Sequence, residues 1–525
     1  MFPVKGLARL PALSLLLLLL LARQLHAEQA VLRFDWDQEI LNLGLHDDNS
    51  TEQANDGCIK ACHLLQRLLP VTTDSARTTA YAKEEYWSSR QAEVTPQCFV
   101  QPTTAEEVAS IVSLVSKTKC RFAVKSGGHG AFAGASSIEA GLTIDLQLLN
   151  ELSLEDAEQP TVTRVGPGNR WIDVYDYLTP RNLSVLGGRV AEVGVGGFTL
   201  GGGISFFSPK YGWALDGVRN YELVTPDARI LQVNRDSYPD LYWALRGGGK
   251  NFGIVTRFDL ETFPQGPMWG GVTYSDVQHT EEVIDAFEKF AFNAPQDLDA
   301  HAYIFLDFTD DIDRLRAGSV LAYARAVEYP EALGNFTKIP TVRSTLRSTD
   351  VADLAREISA LNPTNMRWSY STATFVVSKE MLRACVDIFI EEAETIKHRE
   401  GVVPVLVLQL ITKDVISRFS RNGGNCLGIE DGEGPLLLLN FPVKWTRAED
   451  DAAVLGAAKR IRDRTTQRAR KLGLYHRYLY QNYADGEQEV FASYGEENLK
   501  KLRDISRKYD PAQVFQKLQP GYFKL

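Results

Sequence analysis

The sequence predicts an α+β protein in two lobes, and three observations predict it. The chain has 525 residues, well beyond the roughly 250–300 at which one hydrophobic core stops growing. It is 44% hydrophobic and 24% charged, the balance of an ordinary globular protein rather than a disordered or fibrous one. Its 40 glycines are bunched at 126–134, 187–203 and 247–253, and after Pro264 they thin out into longer periodic runs. Glycine-dense stretches are where a backbone turns tightly or approaches a ligand closely.

Each element follows in order. Lys5 and Arg9 precede an apolar run containing Leu15 to Leu21, too short to span a bilayer and right for a signal-peptide core, so residues 1–27 are expected to be removed. Residues 28–60 read as a polar N-terminal extension. A helix is expected near 57–69. A second follows Cys98, where Thr104 and Glu107 form a capping-box pattern ahead of Val108, Ile111, Val112 and Val115 on one face. Phe122-Ala123-Val124 reads as a short strand leading into Ser126-Gly127-Gly128-His129-Gly130, with further strands at 142–148, 161–165, 221–224 and 229–233. Beyond Pro264, strands are expected at 301–308, 319–328, 403–411 and 435–441, and helices near 280–292, 378–397 and 448–471. A last helix is expected over 499–508.

Composition excludes some partners. With 57 Lys+Arg against 67 Asp+Glu the net charge is −10, and no basic run could track a phosphate backbone, so nucleic acid is not expected. No segment after the leader reaches transmembrane length. A product in the secretory lumen or outside the cell is expected, with no membrane attachment once the leader is cut. Sequons at Asn49, Asn182 and Asn335 agree with that route. Cys58, Cys62, Cys98, Cys120, Cys385 and Cys426 would be free to oxidise there, and spacing alone leaves their pairing open. Cys58, Cys62 and His63 share a helical face, but no fourth ligand of matching spacing exists and no metal is expected.

Common cofactor and hydrolase signatures fail. Gly194-Val195-Gly196-Gly197-Phe198-Thr199 lacks the third glycine of a dinucleotide fingerprint, Gly248-Gly249-Lys250-Asn251 is no P-loop, and neither HExxH nor GxSxG occurs. Three glycine clusters still suit a cofactor with a long contact surface, because successive backbone N–H groups form anion-binding concavities.

Five motifs in order carry a resemblance. They are Arg121 to His129, Val165-Gly166-Pro167-Gly168, Gly187 to Gly203, Trp243 to Thr256, and a tail with Tyr480-Gln481-Asn482-Tyr483-Ala484-Asp485, Lys508 to Pro511 and Val514-Phe515. Together they resemble the FAD-linked oxidoreductases of the vanillyl-alcohol oxidase (PCMH-type) superfamily, most closely the berberine-bridge-enzyme-like proteins of fungal secondary metabolism. The resemblance spans about residues 60–264 and 475–525.

It implies an FAD-binding domain over 61–264, completed by a returning tail at 471–525, and an inserted substrate domain over 265–470 whose large antiparallel sheet is flanked by helices. It also implies that Ser126, Gly127, Gly128, His129 and Gly130 cradle the cofactor, with Gly196, Gly197, Gly201 and Gly202 opposite and Gly253, Ile254 and Val255 approaching by backbone. Asn482 would join them. A covalent histidyl-FAD through His129 is implied; Val190 stands where doubly linked relatives carry a cysteine, so only one link is expected. Val193 falls where the resemblance implies control of oxygen access, and its small size suits an oxidase. A disulfide between Cys62 and Cys120 is implied as well.

Flavin oxidation needs a group to take the substrate proton, and Tyr480 and Tyr483 are the candidates, provided neighbours lower their pKa. Gln409 would orient the substrate. Glu192, in the same glycine stretch, is read as a polar loop residue. The expected function is oxidation of an alcohol, amine or activated C–H in a small natural product, with cyclisation as a further step and molecular oxygen as acceptor. A carbohydrate oxidase making a lactone and a non-catalytic flavin-binding protein are the alternatives.

Overall fold

The computed structural model describes Trp36 and residues 53–67, 69, 71–73, 75–308 and 314–525. The expected leader, most of the N-terminal extension and the Asn49 sequon lie outside these residues. Asn182 and Asn335 are both exposed.

In the glycine-rich half, a four-stranded sheet runs Val71–Thr72, Cys98–Val100, Leu142–Asp145, Phe122–Lys125, the last three mutually parallel. Parallel strands need a crossover, and the helix Ala105–Thr118 supplies the one from Cys98–Val100 to Phe122–Lys125, the two strands that flank Leu142–Asp145. Thr104 caps it by accepting the Glu107 N–H; the expected box closes only in part, because the Glu107 carboxylate turns to the Thr103 N–H and hydroxyl. Beside it stands a five-stranded antiparallel sheet, ordered Leu152–Leu154, Val162–Val165, Ile254–Glu261, Val218–Val224, Ile230–Asn234.

The expected Cys62–Cys120 bond is not made. The bonds are Cys58–Cys120 and Cys62–Cys98. The helix Gln53–Leu65 packs so tightly against the end of Ala105–Thr118 that a Cβ on Gly57 would lie 2.1 Å from the Thr118 carbonyl oxygen. That contact puts Cys58 beside Cys120, and Cys62, one turn on, reaches the neighbouring strand at Cys98.

The second half is built on an 11-stranded sheet. Its central run is Met268–Asp276, Arg316–Tyr323, Ala300–Asp307, Val403–Ile411, Leu436–Asn440 and Thr372–Val376, each antiparallel to the next. Side chains alternate across a strand, so the sheet feeds two cores, one on each face. Ile304, Leu306, Leu408 and Leu439 pack beneath the helices Thr280–Asn293, Lys379–Glu394 and Asp451–Leu472, against Phe287, Phe389 and Ile461. Tyr303, Phe305 and Leu438, on the other face, join the core of the glycine-rich half. That second face is what positions the site.

The tail returns to the first half. Phe515 sits edge-on to Phe122 at 5.5 Å, the Phe122 N–H donates to the Leu518 carbonyl at 2.7 Å, and Asp510 receives the N–H groups of Val514 and Phe515. Among the described residues no helix is long and apolar enough to cross a membrane.

Candidate active site

A cleft separates the glycine turns from the inner face of the large sheet. The turns form one wall. A Cβ on Gly127 would lie 2.5 Å from the Gly194 Cα, so two glycine-rich segments meet backbone to backbone, which only glycine permits. Ser126 fastens them: its hydroxyl donates to the Pro167 carbonyl at 2.5 Å and accepts the Gly196 N–H at 3.2 Å. Gly128, Gly130, Gly196, Gly253, Ile254 and Val255 line the same wall. Gly197 does too, with nothing within 4 Å of where its Cβ would be. Val190 and Val193 also face the cleft. Gly201 and Gly202 do not: they lie behind it, close against Asn482 and Tyr480.

His129 lines the cleft with Nε2 shut off from solvent and without a partner, its ring stacked on Trp87 at 4.0 Å. Enclosure by protein, with a smaller push from Arg170, moves its pKa down to about 3, so the imidazole is neutral. A neutral, unpartnered ring nitrogen beside bare glycine backbone fits an attachment point for a flavin.

The sheet supplies the other wall, with Tyr303, Val407, Gln409, Asn440 and the tail residues Tyr480, Asn482 and Tyr483. Tyr480 is 1% exposed. Its hydroxyl oxygen receives three N–H donors at 3.1 Å, from Gly203, Ile204 and Asn482. Burial pushes its pKa above the ordinary tyrosine value, with Tyr483 adding to the rise and Asn482 opposing it. The expectation of a lowered pKa therefore fails at Tyr480: the donors do not offset the loss of water. Asn482 also donates to the Phe198 carbonyl at 3.0 Å, locking the tail onto the glycine wall. Glu192 pairs with Arg170 at 2.6 Å, a structural bond in keeping with a polar loop residue.

The residue that sequence reasoning missed is Arg189. It is 7% exposed and donates from one nitrogen to Gln409 Oε1 at 2.6 Å and to the Tyr483 hydroxyl at 2.9 Å. Its other terminal nitrogen meets His301 Nε2 at 3.2 Å, and its guanidinium carbon stands 4.9 Å from the Tyr303 ring centre. Gln409 Nε2 donates to the Tyr483 hydroxyl at 3.1 Å. An arginine directly following two glycines in the second glycine-rich stretch was the available signal. Lys250, also cleft-lining, donates to the Ala135 carbonyl at 2.6 Å, and enclosure pushes its pKa down to about 7.

Family comparisons agree with this geometry. The FAD binding domain model matches residues 96–234, and the berberine and berberine-like model matches residues 479–520. The FAD-dependent monooxygenase tpcD of Cochliobolus heterostrophus is 35% identical over 500 residues, covering 89% of this chain and 94% of its own. The chain belongs to the berberine-bridge-like family of FAD-linked oxidoreductases. Its fold is shared with other berberine-bridge-like and related flavoproteins. Physcomitrella patens BBE-like 1 superposes with a TM-score of 0.71 at 19% identity, over 89% of this chain and 99% of that one. Glucooligosaccharide oxidase from Acremonium strictum, described with a 6-S-cysteinyl, 8α-N1-histidyl FAD, gives 0.68 at 21% identity, over 87% and 97%. In this berberine-bridge-like chain the free cysteines, Cys385 and Cys426, are buried and neither lines the cleft.

Proposed function

We propose that this berberine-bridge-like protein is a secreted oxidoreductase that removes a hydride from a small natural product and passes the electrons to molecular oxygen. One observation carries the reading: a neutral His129 and a hydrogen-bonded Tyr483–Gln409–Arg189 group share one cleft. FAD, when bound, supplies the hydride acceptor. His129 would hold it by a single link, since Val190 has no nucleophile, and the glycine wall would receive it by backbone.

The remaining roles fall to side chains. Both lone pairs of the Tyr483 oxygen are engaged by N–H donors, so this phenol can give its O–H to a group in the cleft or, once ionised, take a proton from it. Gln409, fixed by Arg189 and Tyr483, orients the substrate. Val193 leaves the approach for oxygen uncrowded. The relatives named monooxygenases, tpcD among them, support oxygen as co-substrate.

The test is anaerobic incubation of the yellow protein with phenolic and polyketide alcohols and, separately, with mono- and oligosaccharides. Bleaching of the flavin band by the aromatic set, restored by air, is expected. Bleaching by sugars alone would make it a carbohydrate oxidase, and bleaching by nothing would make it a flavin-binding protein without turnover.

A further inference from the structure

Lys250 carries an enclosed amine on a half-buried side chain, and the fold gives it no counter-charge. Its segment, Gly248-Gly249-Lys250-Asn251, is no P-loop in sequence, yet it delivers the lysine to the cofactor cleft beside Gly249, Gly253 and Ile254. Among the described residues the Nζ meets one acceptor, the Ala135 carbonyl at 2.6 Å, and no carboxylate stands in an ion pair with it. Ala135 in turn packs on the end of the turn Ser126–Gly130: a Cβ on Gly130 would lie 2.7 Å from the Ala135 Cβ. A second amine adds to the cost. Lys524, near the end of the tail, donates to the Phe515 carbonyl at 2.9 Å and to Gln519 Oε1 at 3.2 Å. Enclosure, and then the charge of Lys250, push its pKa well below the ordinary lysine value, with Asp510 opposing. Asp510 already receives the N–H groups of Val514 and Phe515. A charge withdrawn from water is normally paired, and a glutamine at 250 could reach the same carbonyl without that cost.

We propose that Lys250 forms an ion pair with the pyrophosphate of FAD, adding one side-chain cation to a cradle otherwise made of backbone N–H groups. This rests on the reading that FAD fills the cleft, and on neither the substrate nor the electron acceptor. In oxidised FAD the ring, the ribityl chain and the adenosine carry no formal charge at neutral pH, so the pyrophosphate is the one part of the cofactor that a cation can neutralise. The turn Ser126–Gly130 would meet that group through its N–H groups, and Ala135 holds the lysine at the end of the same turn. An ammonium with three rotatable donors suits phosphate oxygens that point in several directions. An opposite charge favours the ionised amine, so Lys250 regains its proton when paired, and the anion also offsets the repulsion between Lys250 and Lys524.

The test reads the phosphorus atoms of the cofactor in the oxidised holoenzyme, with no turnover. Phosphorus NMR should show the pyrophosphate resonances displaced by Lys250→Gln and displaced less by Lys250→Arg, which keeps the charge. The visible flavin band, which reports on the ring, should stay in place in both. The arginine variant keeps the test open where the glutamine variant fails to fold. In a His129→Ala background, where the cofactor can exchange, Lys250→Gln should weaken FAD binding about tenfold or more, the scale of a hydrogen bond to a charged group, and leave riboflavin binding unchanged. Phosphorus resonances that stay in place would overturn the proposal. So would a flavin band that moves while they stay, which would turn Lys250 towards the ring, or an equal loss of FAD and riboflavin affinity, which would mark a structural role. If the phosphorus signals stay while a phenolic alcohol still bleaches the flavin, the Lys250 assignment falls and the oxidoreductase reading stands; purified protein without flavin would sink both.

Discussion

The indole of Trp87 lies flat on the imidazole of His129, ring centres 4.0 Å apart and planes 11° from parallel. Trp87 is itself pinned: its Nε1 donates to the Asn362 carbonyl at 3.0 Å and its backbone N–H to the Gly128 carbonyl at 3.3 Å. The ring that would carry the flavin is thus held from one face by a residue tied to the same turn. His129→Ala should yield protein whose yellow colour is released entirely by acid denaturation, whereas the unsubstituted chain keeps it. Mass spectrometry should find one flavinylated peptide, containing His129. A flavin–cysteine adduct would refute the single link. Trp87→Ala should lower the fraction of chains carrying flavin.

Tyr480 and Tyr483 should separate in function. Tyr480 spends its oxygen on three N–H donors, two of them the buried backbone groups of Gly203 and Ile204. Tyr480→Phe leaves those donors unsatisfied, at a cost of about 1–3 kcal/mol each in unfavourable cases, and should show chiefly as lost stability in denaturant titration. Tyr483→Phe should instead slow anaerobic flavin reduction by about 10²–10⁴-fold, the range of general acid–base contributions. Reduction slowed more by the Tyr480 change, in protein of undiminished stability, would reverse the assignment.

The disulfides give a sharp covalent test. Peptide mapping without reduction should find Cys58 joined to Cys120 and Cys62 to Cys98, with Cys385 and Cys426 as thiols. The loops closed span sequence separations of 62 and 36 residues. Replacing both Cys58 and Cys120 by alanine should cost about 2–4 kcal/mol of stability. A Cys62–Cys120 peptide would contradict the structure.

What the sequence made legible follows from the range of the interactions involved. Val403–Ile411, Leu436–Asn440 and Thr280–Asn293 stand within two residues of where periodicity places them, because each carries an uninterrupted apolar pattern. Met268–Asp276 escaped, since Gly270 and Gly271 break its pattern; Gly270 is needed there because a Cβ would lie 2.4 Å from the Leu321 carbonyl oxygen. The expected strand at 319–328 runs instead over Arg316–Tyr323 and stops where the Ala324 N–H turns to the Asp299 carbonyl. At the site, the glycine turns were readable because backbone crowding demands glycine locally. Arg189 was not, because its partners His301, Gln409 and Tyr483 arrive from three distant segments and only the sheet order brings them together.

Acid should destabilise the protein through His301. Burial, and then the charge of Arg189, push its pKa well below the ordinary value of 6.5, and His129 is pushed to about 3. In the unfolded chain both titrate near about 6.5. Below that pH the unfolded state binds protons that the folded state refuses, so the unfolding free energy falls as pH falls, by up to about 1.4 kcal/mol per pH unit for each such histidine. The loss begins near about pH 6.5 and continues towards the folded-state values. Carboxylates with lowered values, such as Glu392 and Asp353, add their losses only in the more acid range below about pH 4.5. His301→Gln keeps an acceptor for Arg189 and removes the titration. Denaturant titrations at about pH 7, 6 and 5 should therefore show a shallower fall in stability for the variant than for the unsubstituted protein. Equal slopes would mean that His301 is protonated in the folded state, and would remove the neutral acceptor that this geometry gives Arg189.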